Sequence, residues 1–233
     1  MTGPTIEEIN EAVSAIKSTK LDVTEEGDSN DFLGVNITRH DDVTIHFRQP
    51  LLIQSILNDL RLEEDGKMRE TPAKSSTILS RHTNSIKHDN SFNYRSILGK
   101  LGYLEKGSRP EITYIVHQCA RFSVCPKIEH ARAIRWVGRY LRSTKDKGMI
   151  LHPDRTKGLE VFVDADFANW DPTNTADIDT ARSRHGYVIK YANCPIIWKS
   201  QLQQEIALSS TESEYTGLPY SIREVIPIIL NFM

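Results

Sequence analysis

Long apolar runs are missing from this chain of 233 residues. No stretch approaches the roughly 20 apolar residues needed to span a bilayer, so membrane insertion has no support and no membrane is expected among the partners. The N-terminal segment MTGPTIEEINEAV is acidic and amphipathic, without the basic region and apolar core of a secretion signal. The chain is therefore expected inside the cell, cytoplasmic or nuclear, and not secreted. Cysteine is scarce. Cys119, Cys125 and Cys194 are odd in number, scattered and unmatched to histidines at zinc-ligand spacing, which favours a reduced compartment and buried free thiols. The glycines form neither a phosphate loop nor a G-x-G-x-x-G run, leaving nucleotide hydrolysis and dinucleotide binding unsupported. No H-x-x-x-H spacing and no serine in a nucleophile elbow is present, which leaves triad hydrolases without a basis.

Net charge is small as well, −2 with histidines neutral, but it is unevenly spread. The first thirty-one positions carry Glu7, Glu8, Glu11, Asp22, Glu25, Glu26, Asp28 and Asp31 against Lys17 and Lys20. That end should repel phosphate. Between 99 and 147 the balance reverses, with eleven Lys and Arg against Glu105, Glu111, Glu129 and Asp146. This basic stretch is the candidate nucleic-acid surface.

Periodicity points to a mixed α+β chain. Thr5 with Glu8 has the form of a capping box, and Ile6, Ile9, Val13 and Ile16 recur at helical spacing, predicting a helix over 6–18. The segments 31–40 and 43–47 read as two strands joined by a tight turn at Asp41–Asp42. Pro50 suits the first position of a helix through LLIQSILNDL. The segments 60–76 and 79–91 are aperiodic and read as linker and loop. From 92 to 142 three helices are predicted, one marked by Tyr94, Ile97, Leu101 and Leu104, the others begun by Pro110 and Pro126. From 149 the period changes, and 159–163, 186–191 and IIWKSQ read as an antiparallel meander with a turn at Asn193–Pro195. Thr211 with Glu214 has the form of a second capping box, opening a final helix that Pro219 and Pro227 should kink or shorten.

Two carboxylates fifty positions apart carry the possible chemistry. Asp164 closes the apolar run LEVFV, and Glu214 follows IALSST. Brought together, they meet the minimum for Mg2+, which takes oxygen ligands and is usually held by one or two carboxylates plus substrate phosphate oxygens. Each also has a structural reading: Asp164 as a residue of a strand-ending turn, Glu214 as the partner of Thr211 in a cap. Asp166, Asp171, Asp177, Asp179, Glu205 and Glu212 are further candidates on charge alone. In KIEHARAIRWVGRYLRSTK, Arg132, Arg135, Arg139 and Arg142 fall at helical steps and form an arginine rail suited to a phosphate backbone, or a merely solvated face. Trp136 beside them packs or stacks on a base. Lys199 contacts substrate phosphate or is an ordinary strand lysine.

The ordered blocks FLGVNI (32–37), YRSILGKLGYL (94–104), RPEITYIV (109–116), RYLRSTKDKGMIL (139–151), VDADFA (163–168), GYVIK (186–190), IIWKSQLQQEIALSSTESEY (196–215) and REVIP (223–227) are spread over most of the chain. In this order they resemble the Pol polyprotein of Ty1/copia-type LTR retrotransposons. The resemblance implies the end of a reverse-transcriptase palm over 1–70, a helical connection or thumb-like region over 71–150, and the first part of a ribonuclease H-like domain, one sheet and one helix, over 151–233. It implies that Asp164, in VDAD, and Glu214, in SEY, are the first two catalytic, metal-binding acids, with Mg2+ as cofactor. Arg132, Arg135, Arg139, Arg142 and Lys199 are then the nucleic-acid-binding residues. The implied partners are an RNA–DNA hybrid or other nucleic acid and the remainder of the polyprotein, in a cytoplasmic virus-like particle or the nucleus. The polymerase Asp pair and the later ribonuclease H acids are expected outside 1–233, so the chain is expected to be an inactive piece. The alternative is a non-catalytic remnant that binds nucleic acid through the basic helix.

Overall fold

The computed structural model describes residues 5–19, 30–64, 66–74, 78–81, 85–167 and 177–232. Lys20, Asp22, Glu25, Glu26, Asp28 and Asp171, named above for their charge, lie outside that set. The chain divides at residue 30 into two compact units. In the first, helix α1 (Ile6–Ser18) begins as its capping signal requires, the Glu8 amide donating to Thr5 Oγ1 at 3.2 Å. Ile9, Val13 and Ile16 are half-buried while the positions between them are mostly exposed.

The second unit opens with strands β1 (Asp31–Phe32), β2 (Val35–Arg39) and β3 (Ile45–Arg48). The first expected strand is thus split. Leu33 and Gly34 both have positive φ (52° and 75°) and fold β1 back on β2, with Phe32 opposite Val35. A later strand, β4 (Met149–Leu151), completes an antiparallel sheet in the order β1-β2-β3-β4 by pairing Phe47 with Met149.

Helix α2 (Pro50–Leu60) carries Pro50 in its first turn, where a missing N–H costs nothing, and ends where Arg61 turns left-handed (φ 54°). Helix α3 (Tyr94–Gly107) is capped by Asn93, whose side chain accepts the Ser96 amide at 3.0 Å. A 3₁₀ turn at Pro110–Ile112 leads into α4 (Thr113–Ala120), and α5 (Ile128–Ser143) follows. These four α-helices share one apolar core: Ile53 and Leu60, Ile97 and Leu101, Ile115, and Ile134 are all at most 2% exposed. Fully burying a side chain of this size contributes about 1.5–3 kcal/mol, so the cluster accounts for much of the cohesion.

The meander consists of β5 (Leu159–Asp166), β6 (Arg184–Tyr191) and β7 (Cys194–Leu202), antiparallel in that order, leaving one edge of β5 unpaired among the described residues. The β6–β7 turn sits one position earlier than expected, at Ala192–Asn193, with φ of 48° and 64°. Two central residues at positive φ match the twist of a tight hairpin, and Pro195 falls in β7, opposite Lys190. Helix α6 (Ser210–Phe232) lies across the sheet and runs through both Pro219 and Pro227 instead of stopping at either. Gly217 permits its close approach: a Cβ there would stand 3.1 Å from His185 Cβ. Beside it the His185 and Tyr220 rings stack at 4.5 Å. Among the described residues no helix is long and apolar enough to cross a membrane.

Candidate metal and nucleic-acid site

Strand β5 does not stop at Val163. Asp164 lies inside it, paired with Gly186, and the ladder continues through Ala165 opposite His185 and Asp166 opposite Arg184. The expectation of a strand-ending turn carboxylate is corrected by these further pairs. The cap assigned to Glu214 is corrected too. Ser209 Oγ accepts the Glu212 amide at 3.1 Å, and Glu212 Oε2 accepts the Leu208 amide at 2.6 Å. Ser209 thereby satisfies one orphan amide of the first turn, and Glu212 reaches back to an amide just outside the helix. Thr211 and Glu214 fall two positions late for the task, so Glu214 is not the capping partner.

Asp164 and Glu214, both exposed, line one cleft of about 560 Å³ between β5 and the first turns of α6, together with Val163, Ala165, Thr211, Tyr215 and Leu218. Asp164 also borders a second cleft, of about 670 Å³, whose walls include Glu111, Tyr114, Phe162, Trp198 and Lys199. Lys199 is on β7, with β6 between it and Asp164. It shares the second cleft with Asp164 but not the first with Glu214, and it stands 4.0 Å from Glu224 of α6. Among the described residues no group of three or more His, Cys, Asp and Glu side chains converges as a metal cage.

The arginine rail is not one surface. Positions seven apart on a helix share a face, whereas a step of three rotates by about −60°. Arg142 donates to the carbonyls of Leu62 and Lys67, both at 3.0 Å, and so fastens the loop after α2 to α5. Arg135 donates to Ser91 Oγ at 3.2 Å and lies over Phe92. Arg132 and Arg139 instead line a cleft with Trp136. The indole N–H of Trp136 donates to Thr71 O at 2.9 Å, and the Arg69 guanidinium stacks 3.9 Å from its ring centroid, so the packing role holds. Other charges of the basic stretch are turned inward as well. Arg109, 1% exposed, donates to Thr144 O and Oγ1, and Arg121 pairs with Asp179 at 3.0 Å.

Sequence reasoning missed the seam between α4 and the meander. Arg184 Nη1 lies 3.2 Å from His117 Nδ1. Burial, with Arg184 beside it, pulls the His117 pKa down to about 4, and burial lowers that of Arg184 to about 10. No periodic signal marks such a pair, because its members come from different elements. Arg69 and Lys74 were also missed: they come from an aperiodic loop and reach Trp136 only through the folded contact.

The ordered blocks resemble a retroelement-type Pol segment, and comparison with known proteins makes the class specific. The chain is 30% identical over 208 residues to the retrovirus-related Pol polyprotein from transposon RE2 of Arabidopsis thaliana, covering 89% of this chain and 14% of that protein. It is 29% identical over 215 residues to that from transposon TNT 1-94 of Nicotiana tabacum, covering 90% and 16%. A shorter relative, the uncharacterized mitochondrial protein AtMg00810 of Arabidopsis thaliana, is 27% identical over 226 residues, 97% of this chain and 88% of its own length. The chain belongs to the Pol family of Ty1/copia-type retrotransposons. It spans 14% of the length of the RE2 relative. No family model matches it, and no solved structure matches it significantly.

Proposed function

We propose that this chain forms part of a Pol polyprotein that copies RNA into DNA and cleaves the RNA of RNA–DNA hybrids, with Asp164 and Glu214 as the first two carboxylates of the ribonuclease H site. The observation that supports the reading is one cleft lined by both acids, which belong to the VDAD and SEY blocks that carry the family resemblance. Two exposed carboxylates are an all-oxygen donor set, which fits Mg2+. Asp164 and Glu214 would hold the ion. Bound there, Mg2+ supplies charge stabilisation at a scissile phosphate and activates water. The chain's own residues bind and orient: the carboxylates face the substrate strand, and Arg132 and Arg139 attract its backbone without reading sequence. Lys199 contributes to phosphate binding only when released from Glu224, and an exposed pair of that kind is worth about 0–1 kcal/mol.

On this proposal the chain by itself binds hybrid through its two acids without cutting it. The remainder of the Pol polyprotein is the partner that supplies the other groups, in a cytoplasmic or nuclear setting. Incubating the chain with an RNA–DNA hybrid over a range of Mg2+ concentrations is expected to leave the RNA intact. Robust cleavage abolished by Asp164→Asn would overturn the claim that the site is incomplete.

A second reading, nucleic-acid binding without chemistry, is favoured by one observation: Arg132 and Arg139 share a cleft with two further cations. Its test is the salt dependence of hybrid binding for the chain and its Arg132→Ala/Arg139→Ala variant, since removing two phosphate contacts should lower the slope by about 2.

A further inference from the structure

The cleft beside α5 differs from a charged surface in having a floor. It encloses about 400 Å³, a size typical of small-molecule sites, and its apolar lining includes Pro72, Leu79, Ile115 and Ala133. Around it stand Arg69, Lys74, Arg132 and Arg139 against one acid, Glu129. Arg132 and Arg139, seven positions apart, are separated by about 10 Å along the helix axis. Arg69 Nε is shielded from solvent and has no hydrogen-bond acceptor, an arrangement that costs stability unless something supplies one. A bare anion would complement the excess of positive charge in the lining and leave the apolar floor uncovered. A purely apolar ligand would do the reverse.

We infer that this cleft binds a nucleotide unit, its phosphate held by Arg132 and Arg139 and its base laid on the floor around Ala133. The inference rests on the nucleic-acid reading of Arg132 and Arg139 and deepens it, from a backbone-gripping surface to a pocket that takes one nucleotide. Glu129, at the α5 N-terminal end of the cleft, accepts hydrogen bonds from the base or sugar. The unit is either a free nucleotide or one residue of a single strand, which share this chemistry.

The experiment titrates the full chain with AMP, with a single-stranded decamer, with an RNA–DNA hybrid and with an acidic peptide of matched charge. Two variants accompany it: Arg132→Ala/Arg139→Ala, which removes charge, and Ala133→Leu, which fills the floor and keeps every cation. Saturable AMP binding weakened at least tenfold by both variants is the expected result. AMP binding as tightly as the decamer would assign the free nucleotide as ligand, and tighter decamer binding would assign the strand. If the double arginine variant weakens hybrid binding while Ala133→Leu leaves every probe unchanged, the pocket is overturned and the surface reading stands. If neither variant has any effect, both fall. An acidic peptide binding as well as AMP also overturns the pocket. Should Ala133→Leu fail to fold, amide-exchange protection of 132–139 by AMP on the unaltered chain takes its place: protection is expected, and its absence overturns the inference.

Discussion

The helical region and the meander differ in where their apolar side chains go. From α2 to α5, apolar residues of facing helices close on one another and most are nearly or fully buried. Along β5 and α6 many stay outside: Phe162 is 52% exposed, Leu218 45%, Ile226 49% and Leu230 73%. One region has the cohesion of a folded core, while the other presents its carboxylates, a strand edge unpaired among the described residues and its apolar helix face to whatever covers them. The lesson is that stability and candidate chemistry are housed apart, joined across the His117–Arg184 seam.

That contrast can be broken most forcefully in the core. Leu101→Ala, at a site 1% exposed, is expected to lower unfolding free energy by about 2–5 kcal/mol, read from urea denaturation; a change below that range would mean the helical region is not the cohesive one. Pro219→Ala should act in the opposite direction. A proline inside a helix costs about 3 kcal/mol, so restoring the N–H should increase amide protection through the middle of α6 and raise stability by about 1–3 kcal/mol. Unchanged exchange there would show that the helix does not depend on that turn.

The seam gives a pH dependence of definite sign. His117 is lowered to about 4 in the fold from its ordinary 6.5, so the unfolded chain binds the additional proton first. Stability is therefore full above about 6.5 and declines as pH falls toward about 4. The neutral ring accepts from Arg184, and protonation removes that acceptor. Thermal melting followed from pH 7 to 4 should show the decline, and His117→Gln should flatten it; an equal slope in the variant would remove His117 from the account. The smallest effect belongs to the exposed helix face: Ile226→Ala is expected to change stability by less than about 0.5 kcal/mol. A cost near that of a core residue would reveal that the chain covers this face in solution.

Much of this contrast was legible in the sequence because it rests on local signals. The capping box at Thr5, Pro50 in a first turn, three helices between 92 and 142 and the alternation of Leu159, Val161 and Val163 each depend on neighbours a few positions apart. So does α6, though not its passage through two prolines, which packing against β5 and β6 sustains. The rest required contacts that spacing does not encode. The pairing of β3 with β4 joins residues about a hundred positions apart, and the split at Leu33–Gly34 depends on two left-handed residues, only one of them glycine. At the site, the pairing of Asp164 and Glu214 was legible only through the ordered blocks. The true cap, Ser209 with Glu212, was hidden by an equally plausible Thr211 and Glu214 two positions later. The arginines were countable, but which of them fasten loops and which face a cleft is decided by partners such as Leu62 O and Ser91 Oγ.

The most direct test of the proposed metal site is electron paramagnetic resonance of Mn2+, used in place of Mg2+, added to the full chain with an uncleaved RNA–DNA hybrid. The account expects protein-dependent loss of the free-ion signal that disappears in both Asp164→Asn and Glu214→Gln. An identical bound fraction in the unaltered chain and the two variants would contradict it.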